Sequence, residues 1–137
     1  MTERFVFIAS AFSLFILCFG FYILFFRRRV FFSEQELSDI RSRFADLEKR
    51  VYWDPRYVVL EGDKLLELLL KRCKFRGSVG DMLKKADSLF PNIQQLWDAH
   101  KLRNLVAHAL DVRIEPNQAK KAIVAFRRAY STFGLSV

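Results

Sequence analysis

The chain has 137 residues and a formal net charge of +8, a length that allows one small domain with a modest core beside an apolar anchor. Its two cysteines, Cys18 and Cys73, lack a plausible partner or metal-ligand spacing, which argues against a disulfide framework and a metal cofactor. The basic balance suits an anionic partner, either nucleic acid or anionic lipid headgroups, and does not choose between them.

The first predicted element is a membrane helix. Residues 5–26 form a 22-residue run without a charged side chain, and about 20 apolar residues span the hydrocarbon core of a bilayer. A cleaved signal peptide is the alternative, but no small-residue cleavage site follows the run. We therefore expect a single transmembrane anchor at residues 5–26.

A basic flank follows this run and orients it. Arg27, Arg28 and Arg29 come directly after it, whereas the other end carries only Arg4, which is offset by Glu3. The positive-inside rule then places the C-terminal domain in the cytoplasm, beneath the plasma membrane. The three arginines also suit contact with anionic lipid, although a stop-transfer flank explains them more simply. Residues 1–29 thus form the predicted anchor with its basic flank.

Residues 30–53 predict a juxtamembrane amphipathic helix. Ser33 and Glu36 form a capping box, which indicates a helix that begins here and ends near Arg50. Its apolar residues follow the alternating spacing of three and four that is typical of coiled coils: Leu37, Ile40, Phe44, Leu47 and Val51. Two heptads are short, so two interpretations stay open, a helix lying against the following domain or a dimeric stalk.

Residues 54–137 predict a helical bundle. Asp54 and Pro55 begin a helix with one broad apolar stripe, in which Gly62 predicts the close approach of another helix. Ser78 and Asp81 repeat the capping pattern at the start of a short helix, and Pro116 starts a final one. No alternating strand pattern and no glycine-rich phosphate loop occurs. The predicted fold class is all-α, one transmembrane helix plus a four- to five-helix bundle.

The helix between the short helix and the final helix is unusual. It is apolar on two sides and also carries four polar residues on one face. The polar residues are His100, Arg103, Asn104 and His108. Such groups are costly to bury without partners, so they are either satisfied by neighbours or exposed in a cleft.

The segment from Arg103 to His108 resembles the signature of the HEPN domains, an arginine followed after four to six residues by a histidine. Asn104 occupies the position just after the arginine, where the family favours a polar residue. The resemblance covers roughly residues 55–134. It implies a small helical bundle that often dimerises and that in many members cleaves RNA.

Metal-independent RNA cleavage needs a base, an acid and a positive charge on the phosphate, roles that histidine and arginine can fill. Arg103 and His108 lie about 140° apart on one helix, so a homodimer would be needed to bring two such pairs into one groove. Asn104, one turn before His108, could hold its imidazole in one tautomer. These three residues are the predicted catalytic set.

A basic group on this helix and on the final helix predicts RNA contacts, with solvated helix surface as the alternative. The group consists of Lys101, Lys120, Lys121, Arg127 and Arg128. Ordinary structural roles also stay open: Arg103 could pair with Asp98 or Glu115, His108 could cap its helix end, and His100 is expected to be a packing residue. Accordingly, a non-catalytic module that dimerises or binds RNA, a nucleotide or a protein at the membrane is the alternative function.

Overall fold

The computed structural model describes residues 13–20, 30–109 and 111–137. After the helical stretch 13–20, the described chain forms α1 (Glu34–Arg50), α2 (Pro55–Arg72), α3 (Val79–Lys85), a 3-10 turn (Asp87–Leu89), α4 (Ile93–His108) and α5 (Pro116–Ser131). No β-strand occurs in these ranges. The prediction of an all-α fold built as a helical bundle is therefore confirmed.

The predicted membrane helix falls mostly outside the described residues. Of residues 5–26, only 13–20 are described, and they are helical with mostly exposed side chains. Arg27, Arg28 and Arg29 also lie outside the described residues. Among the helices that are described, none has the length and apolar character needed to cross a bilayer.

Helix α1 belongs to the core of the domain. The capping box of Ser33 and Glu36 is present at its start, and its seam residues Ile40, Phe44 and Leu47 are buried in the same cluster as the other helices. The Phe44 ring meets the Tyr130 ring edge-on, with centroids 5.7 Å apart. Of the two interpretations left open for this helix, the structure has it lying against the domain, in one hydrophobic cluster with residues of the other described helices.

Helix α2 is the centre of the bundle because it contacts α1, α3, α4 and α5. Gly62 lies on its α5 side, where an added Cβ would come within 2.7 Å of the buried Phe126 ring. This close approach confirms the packing predicted for Gly62. One turn further along, the Tyr130 hydroxyl donates to the Leu65 carbonyl over 2.7 Å, and burial raises the pKa of the Tyr130 phenol well above its usual value.

The segment after α2 turns back across the bundle. Gly77 has a φ of +118°, a left-handed conformation that glycine adopts without a Cβ penalty. The predicted capping box of Ser78 and Asp81 then begins α3. The Ser78 hydroxyl donates to the Asp81 carboxylate and lowers the pKa of that group. This start places α3 against the first half of α4.

Candidate functional site

Helix α4 carries the predicted catalytic residues, and its C-terminal end is held by an arginine from α2. Arg56 Nη2 donates to the Val106 carbonyl over 2.9 Å and to the Ala109 carbonyl over 3.4 Å. Its Nη1 donates to the Val112 carbonyl over 2.9 Å. Since the last carbonyls of a helix have no partner within it, these bonds satisfy the end of α4 and tie it to the start of α2.

The polar face of α4 is covered along its first half and open along its second. Gly80 of α3 lies over the first half, because a Cβ there would be 3.8 Å from both His100 Nε2 and the Trp97 ring. His100 is buried as a result, whereas Ala107 and His108 are exposed. The same helix face therefore changes from core to surface within two turns.

A buried carboxylate holds the polar residues together. Asp63 of α2 is 3% exposed, and its Oδ1 lies 2.9 Å from His100 Nδ1. Its Oδ2 lies 3.3 Å from Arg103 Nε. Arg103 thus pairs with Asp63 rather than with either acid considered from the sequence. Asp98 instead accepts a hydrogen bond from Gln94.

The hydrogen bonds of Asn104 determine the proton arrangement of this cluster. Arg103 Nη1 donates to Asn104 Oδ1 over 3.0 Å, and because arginine can only donate, this amide atom must be the oxygen. Asn104 Nδ2 then donates to His100 Nε2 over 3.3 Å. A ring nitrogen that accepts carries no proton, so His100 is protonated at Nδ1 and donates to Asp63.

Asn104 consequently orients His100 and Arg103, and not His108 as the sequence suggested. Both atoms of its amide are directed at those two side chains. His108 is exposed at the last position of α4, and its side chain makes no hydrogen bond or ion pair with another residue of the described chain. Because α4 stays helical through His108, the side chains of Arg103 and His108 leave the helix in directions about 140° apart. A single chain therefore presents the pair splayed, with the Arg103 side chain 38% exposed.

The basic residues predicted to contact RNA divide into three groups. Lys120, Lys121 and Arg128 line a surface cavity of about 630 Å³ between α4 and α5. Lys101 is exposed on α4. Arg127 is committed elsewhere, because its Nη1 donates to Glu48 over 2.6 Å and its guanidinium lies over the Phe44 ring.

This cavity does not adjoin the polar face of α4. Leu102, which lines it, lies about 160° around the helix from His100. The remaining wall combines the acid Asp98 with apolar or neutral residues, and Ala99 and Ala122 are buried beneath it. The structure therefore places Lys120, Lys121 and Arg128 on the side of α4 away from Arg103 and His108.

Asp63 and Arg56 are site residues that the sequence argument missed. A signal for Asp63 was present, because it occupies a position of the apolar stripe of α2, four residues after Val59 and next to Gly62. A carboxylate at a buried stripe position requires a hydrogen-bonded or charged partner. Arg56 carried no such signal, since an arginine in a first helical turn is commonly solvated.

Comparisons of this chain with protein-family models, with curated proteins and with solved structures find no match. Within the described residues, no group of three or more His, Cys, Asp or Glu side chains is arranged to hold a metal ion.

Proposed function

We propose that this protein is a membrane-anchored, HEPN-like domain that acts as a metal-independent endoribonuclease when two copies associate. The observation that carries the proposal is the state of Arg103. Asp63 and Asn104 hold its guanidinium in one orientation while 38% of the side chain remains exposed. An arginine fixed in this way can meet a phosphate without first losing conformational freedom.

The surface around Arg103 suits approach by a second copy. Ala107 is exposed on the same face and presents only a methyl group, so another helix could come close to α4 there. His108 is exposed one residue further along. Two copies related by a two-fold axis would then bring the arginine of one to the histidine of the other.

The reaction follows from the chemistry of these side chains. One His108 imidazole takes the proton from a ribose 2′-hydroxyl, whose oxygen attacks the adjacent phosphorus. The bond from phosphorus to the 5′-oxygen breaks, and the second His108 supplies the proton that this oxygen needs. Arg103 stabilises the negative charge that develops on the phosphate. The products are a 2′,3′-cyclic phosphate and a 5′-hydroxyl.

RNA would also contact cations outside the candidate catalytic face. Lys120, Lys121 and Arg128 line the cavity between α4 and α5, and Lys101 is exposed on α4. Because this cavity lies on the side of α4 away from Arg103 and His108, we assign its cations to salt-dependent contacts with RNA that continues around α4, away from the scissile phosphate. Arg127 was included from the sequence, but its pairing with Glu48 supports a structural role instead.

The anchor in the proposal is residues 5–26, with Arg27, Arg28 and Arg29 on the cytoplasmic side near anionic lipid. The support is the uncharged length of this run and the charge asymmetry of its flanks. A fluorescent protein fused to the C-terminus should be degraded by protease only after the plasma membrane is permeabilised. Degradation in intact cells would show that the C-terminal domain lies outside the cell.

The enzymatic part is tested with full-length protein in detergent micelles, labelled single-stranded RNA and excess EDTA. Cleavage should yield a 2′,3′-cyclic phosphate, and H108A or R103A should lower the rate at least about a hundredfold. Q94A, an exposed change near the other end of α4, serves as the matched control. Equal cleavage by wild type and H108A would refute the assignment.

The dimer is tested by adding an excess of H108A chains to the wild-type protein. If the groove needs His108 from both copies, mixed dimers hold only one of the two histidines, and the activity of the wild-type chains should fall. Sedimentation of the wild-type protein should show a dimer at the same concentration. A monomer that cleaves RNA would exclude the composite site.

A second candidate function is a non-catalytic HEPN-like module that dimerises or holds RNA, a nucleotide or a protein at the membrane. The favouring observation is that the Asn104 amide is committed to His100 and Arg103, which leaves His108 without an orienting neighbour. Binding without cleavage in the assay above would select this function.

A further inference from the structure

The turn between α1 and α2 carries large aromatic side chains that do not enter the core. Trp53 is 80% exposed and Tyr52 is 75% exposed, although both are among the largest apolar side chains in the chain. Tyr57, at the start of α2, is also exposed. Single apolar residues scattered over a surface need no explanation. Three exposed aromatic rings within six residues form a patch, and a patch of this kind is typical of a binding surface.

Two of these rings, Trp53 and Tyr57, are held in place by local contacts. The Trp53 indole N–H donates to the Lys49 carbonyl, and the Trp53 backbone N–H donates to the Arg50 carbonyl over 3.1 Å. The Arg50 guanidinium lies over the Tyr57 ring, 5.1 Å from its centroid. An exposed ring that is already ordered loses little entropy when a flat partner stacks on it.

The patch lies at the same end of the bundle as the candidate catalytic residues. Arg56, three residues after Trp53, donates to the carbonyls of Val106 and Ala109 at the end of α4. His108 lies between those two positions. The aromatic turn, residues 49–57, is therefore a neighbour of the exposed end of α4.

The location argues against the membrane surface as the reason for these aromatics. The chain enters α1 from the apolar run at its start, whereas the aromatic turn follows its end. Seventeen helical residues separate the two, which is about 25 Å. Trp and Tyr that anchor a domain at the bilayer interface would be expected at the other end of α1, where Phe31 is exposed.

The charges of the turn favour a polyanion. Lys49, Arg50 and Arg56 border the three aromatic residues. Asp46 pairs with Arg50 over 2.8 Å and Arg56 is bound to the end of α4, so the exposed Lys49 is the cation of residues 49–57 that remains for a phosphate. The one acid within residues 49–57, Asp54, accepts a hydrogen bond from the Tyr57 backbone as the cap of α2. Across the end of α4, Arg113 is almost fully exposed with Glu115 3.6 Å away. Aromatic rings interleaved with cations match unpaired bases on a phosphate backbone.

We propose that the aromatic turn is a stacking platform for unpaired bases of single-stranded RNA, with Trp53 as its principal ring and Tyr52 as the second. The proposal rests on the proposed function for its ligand and specifies the substrate class: a strand whose bases are free to stack, and not a duplex. The base beside the scissile phosphate would lie on Trp53 while the phosphate faces the end of α4.

The test uses full-length protein in micelles of a zwitterionic detergent and a fluorescein-labelled 2′-O-methyl oligouridylate of about 12 nucleotides, a length matched to single-strand binding sites. This probe cannot be cleaved because its 2′-oxygen is blocked, so binding is measured apart from catalysis by fluorescence anisotropy. W53A should weaken binding about tenfold or more, and Y52A by a smaller factor. W53F keeps a ring and should stay within about threefold of wild type.

F31A is the matched control, since it removes an equally exposed ring from the opposite end of α1. Its affinity should equal that of wild type. Wild-type affinity in W53A, or an equal loss in F31A, would overturn the platform. So would a smaller sedimenting particle in W53A with unchanged RNA binding, because the patch would then be a contact between chains. Wild-type affinity in H108A together with the loss in W53A would support the platform even if the cleavage assay failed.

Discussion

Asp63 is the residue whose removal gives the clearest test of the α4 cluster. Its carboxylate accepts a hydrogen bond from His100 over 2.9 Å in the interior, and a bond of this kind to a charged group contributes about 1.5–3 kcal/mol. The contact with Arg103 is longer, 3.3 Å, and the Arg103 side chain is 38% exposed, so solvent reduces it to about 0.5–1 kcal/mol. D63A should therefore lower the free energy of unfolding by about 2–4 kcal/mol.

D63N separates charge from shape. Its amide oxygen can still accept from His100 Nδ1, but the amide N–H₂ then faces the N–H of Arg103, two donors that cannot bond. We expect a loss of about 1–3 kcal/mol. Urea unfolding of the full-length protein in micelles, followed by circular dichroism, measures both variants.

Nitrogen NMR provides the independent check on this cluster. The signals of His100 should show a proton on Nδ1 in wild type, as the bonds of Asn104 require. A D63A variant as stable as wild type, or a His100 ring protonated at Nε2, would refute the proposed network.

Three further outcomes follow from the packing. G62A should be destabilised by about 1–3 kcal/mol despite the better helix propensity of alanine, because its Cβ would overlap the buried Phe126 ring. Adding F126L to G62A should recover part of this loss in the same urea unfolding experiment. Burial raises the pKa of Tyr130, so the folded chain keeps a phenol proton that the unfolded chain releases above pH 10. Above pH 10 the free energy of unfolding should therefore fall by about 1.4 kcal/mol per pH unit. Y130F should lack that slope while losing about 1 kcal/mol at neutral pH with its bond to Leu65, and a parallel alkaline profile would contradict this. R56M should fray the end of α4, seen as faster amide exchange there and not at the helix start.

Much of the helical structure could be predicted from the chain because its signals are local. The capping boxes at Ser33 and Ser78 join residues three apart, and the apolar spacing along α2 reports which side of that helix is buried. Gly62 predicted close packing because a glycine inside a helix has a cost that contact can offset. These features depend on neighbours within one or two turns.

The environment of α4 could not be predicted in the same way because its partners are distant in sequence. His100 and Asp63 are 37 residues apart and Arg56 and Val106 are 50 apart, and no periodicity relates one to the other. The pattern around Arg103 and His108 identified a face on which polar groups needed either partners or solvent. Only the packing of α2 and α3 decided that His100 is buried with Asp63, that Asn104 orients the residues before it, and that His108 is left at the surface.

By itself, the sequence determined a basic, all-helical chain with the approximate start of each helix and the apolar side of most of them, since these depend on interactions between near neighbours. Tertiary structure decided that α1 joins the core, which carboxylate holds Arg103, and which end of the bundle brings exposed aromatic rings to the end of α4. Those outcomes depend on how whole helices stack, and a stripe of apolar residues states that a helix has a partner without stating which one.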